Sequence, residues 1–195
     1  GGQIKDLNGD EPDMQDETWC LYDGELVDDE LYNLYAKFAQ GVRVLVFSDS
    51  CHSGSVTKEV FLHGTAQAPR SESNPQGVRY RFMPRGAALR TYKRNKGFYD
   101  KILSDKTLTN KKNEVKASVL LISGCQDNQY SADGDFNGLF TGNLLRVWKN
   151  GNFKGDYKKF HRAIVRCMPP NQTPNYFRVG QTNPAFEDQK PFTIV

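Results

Sequence analysis

The chain has 195 residues, 37% of them hydrophobic and 25% charged, which suits one compact domain able to bury a core. No apolar run approaches the roughly 18 residues that a membrane-spanning helix requires, so no membrane partner is expected. The four scattered cysteines, Cys20, Cys51, Cys125 and Cys167, form no C-x-x-C pair, which argues against a zinc ribbon. A disulfide framework does not suit a domain of this size either, so a reducing compartment, the cytoplasm, is expected. The net charge of +3 conceals an asymmetry. Residues 1–30 carry eleven acidic side chains and one Lys, whereas Lys58 to Lys116 holds fourteen basic residues and five acidic ones. A basic stretch of this kind suits nucleic acid or a solvated loop. Tyr80, Phe82, Tyr92, Phe98 and Tyr99 interleave with it, but nothing there matches a nucleic-acid fold, and the solvated loop is the expectation.

In chain order, residues 1–25 are rich in Asp, Glu and Gly with little periodicity and read as a surface loop. A helix opens at Asp28-Asp29-Glu30, with Asp28 as N-cap and the acidic first turn suited to the helix dipole. Leu31, Leu34, Tyr35, Phe38 and Ala39 follow the spacing of one buried face, and Gly41 ends the helix. Val42 to Phe47 is an apolar, β-branched strand, and a strand directly after a helix predicts a parallel sheet covered by helices. That strand delivers Asp49, Ser50 and Cys51 at its carboxyl end, where open α/β sheets bind ligands.

Residues 55–115, punctuated by Pro69, Pro75, Pro84 and several glycines, predict only short elements. Ala117 to Ser123 repeats the buried-strand pattern and ends in the polar turn 124–129, so the two strand ends are expected to lie side by side over one site. Two helices follow, about Gly138 to Trp148 and about Asp156 to Cys167. The second buries Phe160, Ala163, Ile164 and Cys167, and Pro169-Pro170 stops it. Tyr176 to Val179 reads as a last strand and Pro191 to Val195 as a tail.

Cys51 is the strongest candidate for chemistry. It follows a buried strand but is flanked by Ser50, His52, Ser53 and Gly54, whereas a structural cysteine sits within an apolar pattern, as Cys167 does. A nucleophilic thiol requires exposure, local hydrogen-bond donors and a base that makes the thiolate. Gly54 permits a tight turn, and the Cys51 backbone N–H suits an oxyanion hole.

The string Asp49-Ser50-Cys51-His52-Ser53-Gly54 resembles the nucleophile motif of metacaspases and of their bacterial relatives, the orthocaspases. Further matches run in the family's order: Gly1-Gly2-Gln3, Asp16-Glu17-Thr18, Asp28-Asp29-Glu30-Leu31, Ile122-Ser123-Gly124-Cys125, Asp127, Gln129 and Ser131-Ala132-Asp133. The resemblance is close over residues 1–54 and 117–133 and loose over the last sixty. It implies a caspase-like three-layer α/β/α sandwich with a mostly parallel central sheet. It divides one peptidase domain into a nucleophile-bearing part (1–57), a basic loop-rich linker (58–116) and a small-subunit-like part (117–195).

The resemblance also implies a cysteine endopeptidase that cuts peptide or protein substrates after Arg or Lys through a Cys–His dyad. The family's histidine falls immediately before Gly1. The chain opens without Met and reads as an internal or processed piece, so the N-terminal piece carrying that histidine is an expected partner. His52 cannot stand in, because adjacent side chains on an extended or turning backbone point apart. His63 and His161 read as surface or packing residues.

Caspases that cut after Asp use basic pockets, whereas this family uses acidic ones. Asp49, two residues before the nucleophile, is the expected carboxylate of the S1 pocket, and a carboxylate facing a guanidinium is the contact that selects Arg. Its other reading is a strand-end Asp that caps a turn. Asp127 is a second candidate for the pocket. No cofactor is required for the chemistry. Ca²⁺ is a candidate activator, since family ligands match Asp16, Asp28 and Asp29. The position of a further ligand is occupied by Lys58, which would oppose a divalent ion. Self-processing in the basic linker is expected after Arg70, Arg85, Arg90, Lys93, Arg94 or Lys96. The competing reading is a non-catalytic caspase-like module that works through its charged surfaces.

Overall fold

A parallel pair of apolar strands forms the axis of the molecule. In the computed structural model, which describes residues 1–9, 14–50, 83, 85–108, 114–125 and 138–194, β4 (Arg43–Ser48) pairs in parallel with β5 (Ser118–Ser123). The register runs from Arg43 opposite Ser118 to Ser48 opposite Ser123. The strand β6 (Asn175–Gly180) adds to β5 in antiparallel orientation, giving the order β4-β5-β6. The described sheet is thus mixed, with one parallel and one antiparallel pairing.

Side chains alternate between the two faces of these strands, and each face meets helices. Leu45 and Phe47 of β4, Leu120 and Ile122 of β5, and Tyr176 of β6 belong to one cluster. They pack against α4 (Leu139–Trp148), α5 (Tyr157–Val165) and α6 (Pro184–Asp188) through Phe140, Leu144, Phe160, Ile164 and Phe186. Val44, Val46, Val119, Phe177 and Val179 point the other way, toward Tyr32, Tyr35 and Ala36 of α1 (Asp28–Ala36). Helices on both faces make the expected three-layer α/β/α sandwich. Full burial of each large apolar side chain contributes about 1.5–3 kcal/mol.

Two expectations about α1 change in detail. Val27, not Asp28, is the N-cap, and the Glu30 carboxylate accepts the Val27 N–H at 3.1 Å. The face toward the sheet is Tyr32, Tyr35 and Ala36, while Leu34 is 47% and Phe38 44% exposed. The helix stops at Ala36, so Phe38 and Ala39 leave the helical spiral that the spacing assumed.

Residues 1–25 are not a loop. They build β1 (Gly2–Lys5), β2 (Gln15–Cys20) and the start of β3 (Glu25–Val27), an antiparallel sheet in that order. Alternation escaped notice because the inward positions of β2 are polar: Asp16 and Thr18 are 1% and 0% exposed. The Thr18 hydroxyl donates to the Glu25 carboxylate at 2.6 Å, which satisfies both inside the fold.

The second half of the basic segment is also more regular than expected. It folds into α2 (Arg85–Arg94) and α3 (Lys96–Leu103). Tyr99 and Leu103 of α3 bury against Ile4 and Val27, and the Glu25 N–H donates to the Tyr99 hydroxyl at 2.9 Å. Just before α2, the Met83 N–H donates to the Gly1 carbonyl at 2.7 Å. Part of the aromatic content that resembled a nucleic-acid surface is therefore core.

The last helices form close to where their patterns place them. The Asp156 carboxylate caps α5 by accepting the Lys159 N–H at 2.7 Å. Between β6 and the tail lies an unexpected short helix, α6, whose N-cap Asn183 accepts the Phe186 N–H at 3.0 Å. Among the described residues no helix is long and apolar enough to cross a membrane.

Candidate active site

The parallel register of β4 and β5 brings their carboxyl ends together, as the sequence predicts. The Gly124 N–H donates to the Ser48 carbonyl at 2.8 Å, extending the ladder one step beyond both strands. The hydroxyls of Ser48 and Ser50 share a hydrogen bond at 2.8 Å. The Cys125 thiol reaches the Ser50 carbonyl at 3.8 Å, and the Ser123 hydroxyl donates to the Cys125 carbonyl at 3.0 Å. The residues flanking the two predicted motifs, Ser50 and Cys125, therefore meet. Cys51 and Asp127 themselves lie outside the described residues, as do His52, His63 and Lys58.

Asp49 is held from the side. Its Oδ2 accepts hydrogen bonds from the Thr141 N–H at 3.2 Å and from the Thr141 hydroxyl at 2.6 Å. Thr141 is the third residue of α4, whose N-cap is Gly138. A glycine has no side chain to cap a helix, so Asp49 supplies the capping acceptor from the end of the neighbouring strand. The observed role of Asp49 is close to its capping reading, although what it caps is the helix α4 rather than a turn.

Two further residues shape this end of the sheet, and no sequence signal marks either. Gln172, 2% exposed, donates its side-chain N–H to the Gly124 carbonyl at 2.9 Å and ties the segment before β6 to the end of β5. Thr141 carries no signature beyond its place in a helix. His161 is occupied elsewhere, with Nε2 at 2.9 Å from the Pro174 carbonyl and its ring beside Tyr176, and burial pushes its pKa down. It has the packing role expected of it.

The other described thiols lack the surroundings of a nucleophile. Cys125 is only 5% exposed, and Cys167 packs against the main core cluster, with the Arg146 guanidinium donating to its sulfur at 3.3 Å. Cys20 occupies an exposed position, yet desolvation of its sulfur pushes the thiol up, away from the thiolate.

The candidate calcium ligands lie on adjoining elements, since Thr18, two residues after Asp16, pairs with Val27, the residue before Asp28. Asp16 sits inside the small sheet opposite Ile4, whereas Asp28 and Asp29 occupy the first turn of α1, where Asp29 accepts the Asn8 side-chain amide at 2.8 Å. Among the described residues no three His, Cys, Asp or Glu side chains are grouped so as to hold a metal ion.

An α/β/α sandwich whose central parallel strands end in a Ser-Asp-Ser turn and a Gly-Cys turn is the frame of a caspase domain, and the model of that family, the caspase domain, matches residues 1–190. The chain belongs to this family, on its metacaspase side. Metacaspase-1 of Schizosaccharomyces pombe is 33% identical over 171 residues, covering 76% of this chain and 39% of that protein. Metacaspase-1 of Ajellomyces capsulatus is 34% identical over 157 residues, covering 73% of this chain and 44% of that protein. The chain thus spans well under half the length of these curated relatives. The crystal structure of protein GSU0716 from Geobacter sulfurreducens matches with a TM-score of 0.82 at 59% identity, over 100% of this chain and 68% of that one.

Proposed function

We propose that this chain carries the nucleophile and the S1 carboxylate of a cysteine endopeptidase that cuts after Arg or Lys. The observation that supports this reading best is the junction of the β4 and β5 ends, where Ser48 and Ser50, on either side of Asp49, meet Gly124 and Cys125. In this reading the Cys51 thiolate adds to the carbonyl carbon after a basic residue. A histidine contributed from upstream of Gly1 protonates the leaving amine as the C–N bond breaks, leaving a thioester. Water then cleaves the thioester and returns the thiol. The Cys51 backbone N–H assists by donating to the oxyanion. A reducing compartment such as the cytoplasm belongs to the same reading, since the nucleophile has to act as a free thiol.

The test pairs the full-length protein with fluorogenic peptides ending in Arg, Lys or Asp. Release from the Arg and Lys peptides and none from the Asp peptide is the expected outcome. Equal turnover of the Asp peptide would refute the acidic pocket.

Self-processing gains a narrower form. The bonds after Arg85, Arg90, Lys93 and Lys96 lie within α2 or α3, where the backbone is helical, and the bond after Arg94 leads into Asn95, the single residue between the two helices. A peptidase cleft that binds its substrate as an added strand requires extended chain. The reading therefore concentrates on Arg70, which lies outside the described residues.

Calcium takes no step in this mechanism. Asp16, Asp28 and Asp29 act in folding the small sheet and the start of α1, and Lys58 adds a cation to the position of the family's further ligand. Cleavage of the Arg peptide is expected to proceed equally in EGTA and in millimolar calcium. Loss of activity in EGTA, restored by calcium and not by magnesium, would return these carboxylates to the role of ligands.

A further inference from the structure

We infer that Thr141 is the positioning residue that aims the Asp49 carboxylate and thereby sets the preference between Arg and Lys, an inference that rests on the reading of Asp49 as the S1 carboxylate. Both donors of Thr141 converge on the same oxygen, Oδ2, at 3.2 Å from the backbone N and 2.6 Å from Oγ1. Turning the carboxylate out of its plane breaks both bonds at once, so the clamp fixes orientation as well as position. The clamp is itself rigid. Thr is β-branched and restricted at χ1, it sits in the first turn of α4, and its neighbour Phe140 is anchored in the core at 1% exposure. Gly138 at the N-cap offers no competing acceptor from its side chain, so the first turn of α4 turns to Asp49 instead.

The two basic residues make different demands on a carboxylate. A guanidinium is a planar fork whose bidentate match depends on the carboxylate plane, whereas an ammonium is a compact point charge that tolerates rotation. A clamp that fixes the plane therefore favours Arg over Lys. Removing the hydroxyl donor loosens the plane while the negative charge stays in place.

The experiment measures kcat and KM on matched Arg and Lys peptides for the full-length protein and for Thr141→Val, Thr141→Ser and Asp49→Asn. Thr141→Val is expected to lower kcat/KM on the Arg peptide roughly tenfold, chiefly through KM, with a smaller loss on Lys, so that the Arg-to-Lys ratio narrows. Thr141→Ser keeps the hydroxyl and is expected to restore the ratio. A purely structural role for Thr141 predicts an equal loss on both peptides, or a fall in melting temperature with the ratio unchanged, and either result overturns the inference. An unchanged ratio in Thr141→Val, or one that Ser does not restore, overturns it as well. Asp49→Asn separates the two levels. If it leaves Arg cleavage intact, the S1 reading itself fails; if it abolishes Arg cleavage while Thr141→Val keeps the ratio, only the role of Thr141 fails.

Discussion

Replacing Cys51 by Ala is expected to lower cleavage of Arg peptides by roughly four or more orders of magnitude, with the fold intact. A covalent mechanism has no substitute for its nucleophile. The described thiols offer none: Cys125 is buried, Cys167 is engaged by Arg146, and the Cys20 thiol is shifted away from ionisation. Because Cys51 follows β4 in a polar run of sequence and lies outside the strand's apolar pattern, its substitution leaves every apolar residue of that strand in place. The melting temperature of Cys51→Ala should therefore match that of the parent. Arg cleavage that persists in this variant, measured on the full-length protein, would assign the activity to another group. Full loss of activity together with an unchanged melting curve would also remove the non-catalytic scaffold as the competing account.

The second large effect concerns Asp49. Asp49→Asn keeps the shape and an acceptor oxygen for Thr141 but removes the charge that would face a guanidinium. Truncating one partner of a buried charge pair costs about 2–5 kcal/mol, so kcat/KM on Arg peptides is expected to fall by roughly thirtyfold to several thousandfold. Cysteine chemistry itself is untouched, so peptides with an uncharged residue before the scissile bond should lose little. The cost to stability is of a different order. The carboxylate caps α4 through the Thr141 N–H, and weakening such a cap costs about 0.5–2 kcal/mol. Urea denaturation alongside the kinetics separates the two effects. An Asp49→Asn protein that loses Arg cleavage only in proportion to its unfolded fraction would reduce Asp49 to a helix cap.

The parts of the fold legible in the sequence were those whose signals are local. Val42 to Phe47 and Ala117 to Ser123 read as buried strands because each is a short β-branched or aliphatic run beside a polar turn; strands form there as Arg43–Ser48 and Ser118–Ser123, the first only partly buried. The helices α4 and α5 follow their apolar spacing closely, since Phe160 and Ile164 occupy one face of a single element. The same patterns predicted a sheet covered by helices, and the family resemblance implied three layers; α1 on one face and α4 to α6 on the other supply that cover.

Misreadings arose where the deciding partner is far away in the chain. The strand β2 hides its alternation because Asp16 and Thr18 face inward, and only contact with Glu25 makes a buried Thr18 acceptable. The helix α3 looked like part of a basic loop. Its burial depends on Tyr99 and Leu103 meeting Ile4 and Val27, far earlier in the chain. The inward face of α1 was misjudged because that helix is apolar on more than one side, and the sheet chooses among its sides.

The sequence by itself determined the identity of the candidate nucleophile, Cys51, its place after a parallel strand and the acidic residue two positions before it. These are covalent neighbours, and their order needs no folding to establish. Only the tertiary structure decided that Ser48 stands level with Ser123, that Gly124 continues the ladder from Ser48, and that Thr141 grips Asp49 across an interval of 92 residues. Register and capping between distant elements are set by packing, because a hydrogen-bond donor in one helix carries no mark in the sequence of the acceptor it will meet.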